Sequence, residues 1–117
     1  MNTGYFGAVK KYPQELRYIS IARFNRFWSG EKYIKLAPPP ELLKIYDYEE
    51  YKKLYRTKVL DKLNPYEVYA DLGDLAVLLC YEKWADVKQG KSFCHRRLVA
   101  EWLEENIMGL KVDELEV

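Results

Sequence analysis

The stretch that decides the fold is residues 75–81, Leu75-Ala76-Val77-Leu78-Leu79-Cys80-Tyr81. It carries no charge and no alternation of apolar with polar positions. A strand with one wet face alternates, so a continuous apolar run predicts a strand covered on both faces, as in a parallel sheet between two layers. Residues 16–22 read as a second strand, with Tyr18, Ile19 and Ile21 following the break at Pro13. Residues 2–6 are a third and shorter one, weakened by Gly4 and by Gly7 beyond it. Residues 110–117 have room for one more. The reading is α/β: three-layer, with a small mostly parallel sheet flanked by helices, as a single α/β domain over residues 1–117.

Helical segments separate these runs. Pro38, Pro39 and Pro40 stop the chain before residues 41–63, where Leu42, Ile45, Tyr48, Tyr51, Tyr55, Val59 and Leu63 recur at helical spacing. Asp47 leaves open one bent helix or two. Asn64-Pro65 opens a second helix over residues 66–72, and Gly73 supplies the stop. Residues 82–93 read as a charged loop. The last helix starts at Cys94 or His95 and runs to Asn106. Its apolar face is Leu98, Val99, Trp102, Leu103 and Ile107, with Arg97, Glu101, Glu104 and Glu105 toward water.

Composition excludes several classes. Hydrophobic residues make up 49% of the 117, enough for a core without a metal or disulfide staple, and the net charge of +1 gives no strong overall field. The start, MNTGYFGAVKKYPQ, has no apolar signal region, and no run approaches the roughly 18 apolar residues of a membrane span. The expectation is a cytoplasmic protein with no membrane partner, and with Cys80 and Cys94 as free thiols. The near-neutral total hides a local imbalance. Lys83, Lys88, Lys91, Arg96 and Arg97 meet only Asp86, whereas the following residues 98–117 hold six acids and one lysine.

In an open parallel sheet, ligands bind beyond the carboxyl ends of the strands, where helix amides also point. This rule turns the strand map into candidates. Arg23, Tyr5, Tyr81, Arg96 and Arg97 are the ligand-binding set, aimed at a phosphate or carboxylate. Glu82, at a strand end, is the candidate acid or base, and His95 the proton relay or hydrogen-bond donor. Cys94 has two readings: a nucleophile whose proton is loosened by the helix start and neighbouring cations, or a buried structural thiol. Cys80, inside the apolar run, reads as core.

Arg26 and Trp28, in the aromatic stretch around Phe24 and Phe27, form a candidate nucleic-acid surface with Lys83, Lys88 and Lys91. The same stretch also reads as a loop anchored on the core. Zinc needs about four ligands, and the soft donors are Cys80, Cys94 and the single histidine, His95, with no Cys-x-x-Cys pair. No metal and no cofactor are expected. A Cys-x5-Arg phosphatase loop fails because position 100 is Ala100, and no Walker, Rossmann or HExxH motif is present.

Two blocks carry a resemblance. Leu78-Leu79-Cys80-Tyr81-Glu82 is followed, after a spacer, by Phe93-Cys94-His95-Arg96-Arg97-Leu98-Val99-Ala100-Glu101-Trp102-Leu103. The chain resembles the bacterial, archaeal and phage family classed as a domain of unknown function, numbered four hundred and eighty-eight. That family has a Leu-Leu-Cys-x-Glu strand end and Cys-His-Arg at the start of its last main helix. Thr3-Gly4-Tyr5 and Ile19-Ser20-Ile21-Ala22-Arg23 look like its first two strand motifs. Many relatives have Thr-Ile-Gly-His and Asp-Val-Arg there, so the acid of the second motif is missing from this chain. The resemblance implies a three-layer fold and a site shared by Arg23, Glu82, Cys94, His95 and Arg96, with no reaction attached. It leaves either binding without turnover or Glu82 in the missing acid's role.

The leading expectation is a domain that processes or binds a phosphorylated small molecule, a nucleotide or a nucleic-acid end through an anion site at the sheet's C-terminal edge. The alternatives are a non-catalytic nucleic-acid-binding module and a domain that presents its tyrosines to a protein partner.

Overall fold

A computed structural model of the chain describes residues 1–116. Five strands, β1 (Asn2–Tyr5), β2 (Arg17–Ser20), β3 (Glu31–Lys32), β4 (Ala76–Cys80) and β5 (Asp113–Glu114), form one sheet in the order β3-β2-β4-β1-β5. Every pairing is parallel. The expected neighbours β2 and β4 are paired directly, with Ile19 opposite Leu78, and β4 lies between β2 and β1. All five residues of β4 are buried, which is why its sequence shows no alternation.

The pleat sends alternate residues to different layers. Ile19, Ala76 and Leu78 join the large cluster under the helices, whereas Val77 and Leu79 face Ala8 and Tyr12 on the other side. The helical layer consists of α1 (Tyr48–Lys58), α2 (Pro65–Leu72) and α4 (His95–Asn106). Leu98, Val99, Trp102 and Leu103 of α4 are buried in this cluster. The third layer is a short 3-10 helix, Phe6–Lys11, helped by aromatic rings.

Local chemistry sets the element ends. Asn64 caps α2 by accepting from the amides of Tyr66 (2.9 Å) and Glu67 (3.4 Å), and Pro65 fills the first helical position. Gly73 ends α2 at φ 82°, a conformation open to glycine at little cost.

Several expectations need correction. The segment 41–63 is broken: 3-10 turns at Pro40–Lys44 and Leu60–Lys62 flank α1, with the interruption before Asp47. The loop 82–93 contains a short helix, α3 (Trp84–Lys88). The strand expected in 110–117 is two residues long, and residue 117 lies outside the described residues. Cys80 and Cys94 are joined as a disulfide, not free thiols. The reason is geometric: Cys80 ends the central strand, and Cys94 occupies the position just before α4, whose first residues lie beside that same strand end. Among the described residues, no helix is long and apolar enough to cross a membrane.

Candidate functional site

A cavity of about 510 Å³ opens at the C-terminal edge of the sheet. The end of β2 brings Ala22 and Arg23 to it, and the end of β4 brings Cys80, Tyr81 and Glu82. The residues just before α4 and its first residue, His95, form another wall. Tyr46, Tyr48 and Tyr51 close the side below α1.

Arg23 is fastened by its Nε to the carbonyl of Pro38 (2.9 Å) and by Nη2 to that of Ala37 (3.3 Å). Those two bonds fix the guanidinium against the proline turn without neutralising it, so its charge is available to a ligand. Glu82 is half-buried, and the loss of water raises its carboxyl above the usual range despite the attraction of Arg96. A carboxyl so shifted exchanges its proton nearer to neutral pH than a free one. Lys91 lies exposed at the rim. The hydroxyl of Ser92 is buried without a hydrogen-bond partner among the described residues, on the same wall.

His95 is buried, and its Nε2 donates to the Ile21 carbonyl at 2.8 Å. Burial pushes the imidazole down to about 4, so it is neutral at physiological pH. With Nε2 holding the proton, Nδ1 is left as an acceptor.

Arg96 departs furthest from its expected place. It is fully buried and clamped two-handed on Glu114, Nε to Oε1 at 2.9 Å and Nη2 to Oε2 at 3.0 Å. Its charge is therefore matched inside the fold and unavailable to a ligand at the cavity mouth. Arg97, expected to face water, donates to Thr3 Oγ1 (2.7 Å) and the Val112 carbonyl (3.1 Å). Tyr5 sits away from the cavity, its ring 5.9 Å from the Arg96 guanidinium carbon. The structure thus gathers Arg23, Tyr81, Glu82, Lys91, Cys94 and His95 around one cavity.

The proposed nucleic-acid set is dispersed. Trp28 donates to the Glu31 carbonyl and packs on Phe6, Lys88 pairs with Glu116, and Arg26 and Lys83 are simply exposed. Cys80, Cys94 and His95 place their donor atoms within 4.8 Å of one another, but both sulfurs are already bonded together. That bond removes the thiolates a soft metal would require.

Sequence reasoning missed the cavity role of Tyr46, Tyr48 and Tyr51. The signal was available in part, because Tyr48 and Tyr51 are three apart and share one face of α1. It missed Glu114 as the Arg96 partner, and nothing local connects residues so far apart.

Comparison with protein-family models, with curated proteins and with solved structures gives no match to this chain.

Proposed function

We propose that the protein binds a compact anionic ligand, a phosphorylated small molecule or nucleotide, in the cavity at the sheet's C-terminal edge, with Glu82 as the proton-transfer group. The observation that carries this reading is the convergence of Arg23, Glu82 and the start of α4 on one concave surface walled by tyrosines. A fixed guanidinium suits phosphate oxygens, and the amides at the start of a 12-residue helix favour negative charge. Aromatic rings beside them suit a planar base. A terminal nucleotide of a nucleic acid presents the same groups.

The concavity supports this reading over a convex nucleic-acid-binding surface. The exposed Phe24 and Tyr81 lie at the mouth of this cavity, which supports a ligand entrance over a separate protein-docking patch. Membership of the domain-of-unknown-function family numbered four hundred and eighty-eight belongs to the same proposal, since its strand-end and helix-start motifs supply Arg23, Glu82, Cys94 and His95. So does a cytoplasmic setting, where nucleotides are abundant.

Calorimetric titration of the folded protein with a nucleoside monophosphate and with inorganic phosphate tests it. Saturable nucleotide binding is expected, weakened about tenfold or more in Arg23→Lys, because an ammonium cannot reproduce the fork. Lys88→Ala should leave affinity unchanged at high salt. The anion should bind more weakly as pH rises through the elevated Glu82 pKa, and Glu82→Gln should flatten that dependence. Absence of saturation at millimolar ligand would remove the site.

A further inference from the structure

The floor of the cavity carries sulfur chemistry that ligand binding does not use. Cys80 and Cys94, 14 residues apart in sequence, are joined there, and both line the cavity. Their surroundings differ. Arg96 Nη1 lies 3.0 Å from Cys80 Sγ, and the two bonds that Arg96 donates to Glu114 hold the guanidinium in that place. Glu82 Oε2 lies 3.4 Å from the same sulfur. Cys94, by contrast, sits just before α4 beside neutral His95 and is the less enclosed of the two, 4% exposed against 1%.

This asymmetry assigns roles. In thiol–disulfide exchange the departing sulfur carries off the electron pair, so the better leaving group is the one whose thiolate is stabilised. A buried guanidinium at hydrogen-bond distance stabilises Cys80 in this way, and among the described residues no cationic side chain hydrogen-bonds Cys94. The attacking group needs a path to the other sulfur, and the cavity supplies one.

We propose that the Cys80–Cys94 pair is a thiol–disulfide exchange site for a low-molecular-weight thiol, with Cys94 the sulfur attacked and Cys80 the leaving sulfur. A first thiol loses its proton to solvent, and its thiolate attacks Cys94 Sγ. A mixed disulfide forms as the bond between the protein sulfurs breaks. The electron pair goes to Cys80, where Arg96 faces the new charge and the Glu82 carboxyl delivers a proton that it then regains from solvent. A second thiol, its proton also lost to solvent, then attacks as thiolate the small-molecule sulfur of the mixed disulfide and releases Cys94 as a thiolate, which takes a proton from solvent. The protein disulfide has gained two electrons and two protons, and two small thiols have become one disulfide. Run backwards, the same steps oxidise the pair at the expense of a small-molecule disulfide.

This proposal does not depend on the nucleotide reading, because its readout is the state of the sulfurs. The wild-type protein is equilibrated anaerobically in reduced and oxidised glutathione at varied ratios, quenched by alkylation and weighed by mass spectrometry, with circular dichroism reporting the fold. Reversible interconversion of disulfide and dithiol forms is expected while the fold persists. Mixed disulfide trapped at short times should map to Cys94. In Cys80→Ser, Cys94 should take up glutathione from oxidised glutathione and hold it as a mixed disulfide, because the thiol that would displace it is gone. The wild-type trapping carries the assignment should that variant fail to fold. A disulfide that resists every buffer while a urea-unfolded sample is reduced would overturn the proposal. So would a pair that stays reduced throughout, or trapping at Cys80.

Discussion

Leu78 and Leu79 are neighbours in β4 and both are fully buried, yet they point into layers built on different plans. Leu78 faces three helices whose side chains interlock with one another as well as with the sheet. Leu79 faces Ala8, Tyr12 and a rim of half-buried rings laid over the sheet by one short 3-10 helix. The first layer holds its shape through contacts within itself, whereas the second takes its shape from the sheet beneath it. Hydrophobic burial per side chain is alike on the two faces, so what separates them is how far each can close over a void.

The sharpest way to break this comparison is to delete the same side chain on each face. Leu78→Ala should cost about 4 kcal/mol, because the helical layer cannot collapse into the space. Leu79→Ala should cost about 2 to 3 kcal/mol, since the 3-10 helix can settle inward. Urea unfolding of both variants measures the difference, and equal losses would dissolve the distinction.

A second difference is sensitivity to acid. His95 belongs to the helical side, packed against Tyr55 with ring centroids 5.5 Å apart. Its pKa falls from 6.5 to about 4 on folding. Above pH 6.5 both states are neutral and the residue adds no pH dependence. Between 6.5 and about 4 the unfolded chain takes a proton that the folded one refuses, so stability falls with pH, and below about 4 the loss is complete. That interval corresponds to about 3 kcal/mol. Unfolding curves from pH 8 to 4 should show this slope in the wild type and lack it in His95→Gln, with carboxylate contributions common to both.

The smallest expected contrast concerns two tyrosine hydroxyls. Tyr55 Oη donates to the Leu36 carbonyl at 2.7 Å inside the helical layer, while Tyr12 Oη accepts from the Tyr5 amide at 3.2 Å under the 3-10 helix. Tyr55→Phe should cost about 1 to 2 kcal/mol and Tyr12→Phe about 1 kcal/mol or less, because water reaches the second site more readily. Thermal unfolding at fixed pH reads both, and a larger effect at Tyr12 would reverse the ranking of the layers.

How much of this was legible in sequence follows from how local each signal is. The unbroken run in β4 announced burial on both faces, and the strand-end rule then brought Arg23 and Glu82 to the cavity. β3 was invisible because it is two residues long and exposed, and its side-chain anchor, the Glu31 carboxylate held by Arg17 of β2, lies 14 positions away in sequence. α3 was hidden because none of its residues is buried, so it has no apolar stripe to read. The cysteine bond was missed because compartment argues about thiols in general, whereas pairing depends on the start of α4 lying beside the end of β4. Arg96 was misplaced for a similar reason. A basic helix start suggested an arginine free for a ligand, but Glu114, 18 positions on, already holds the Arg96 guanidinium.

The pairing of β5 with β1 has a consequence for the order of events during synthesis. Thr3 leaves the ribosome long before Glu114, to which its hydroxyl donates across 111 positions of sequence. The carbonyl of Thr3 likewise waits for the amide of Leu115. Until then β1 docked on β4 forms the outer boundary of the sheet, with one row of backbone groups unsatisfied, open to a strand from another nascent chain. The last two-residue strand therefore acts as a closing seam, and a polysome crowded with unfinished copies is where its delay is most dangerous.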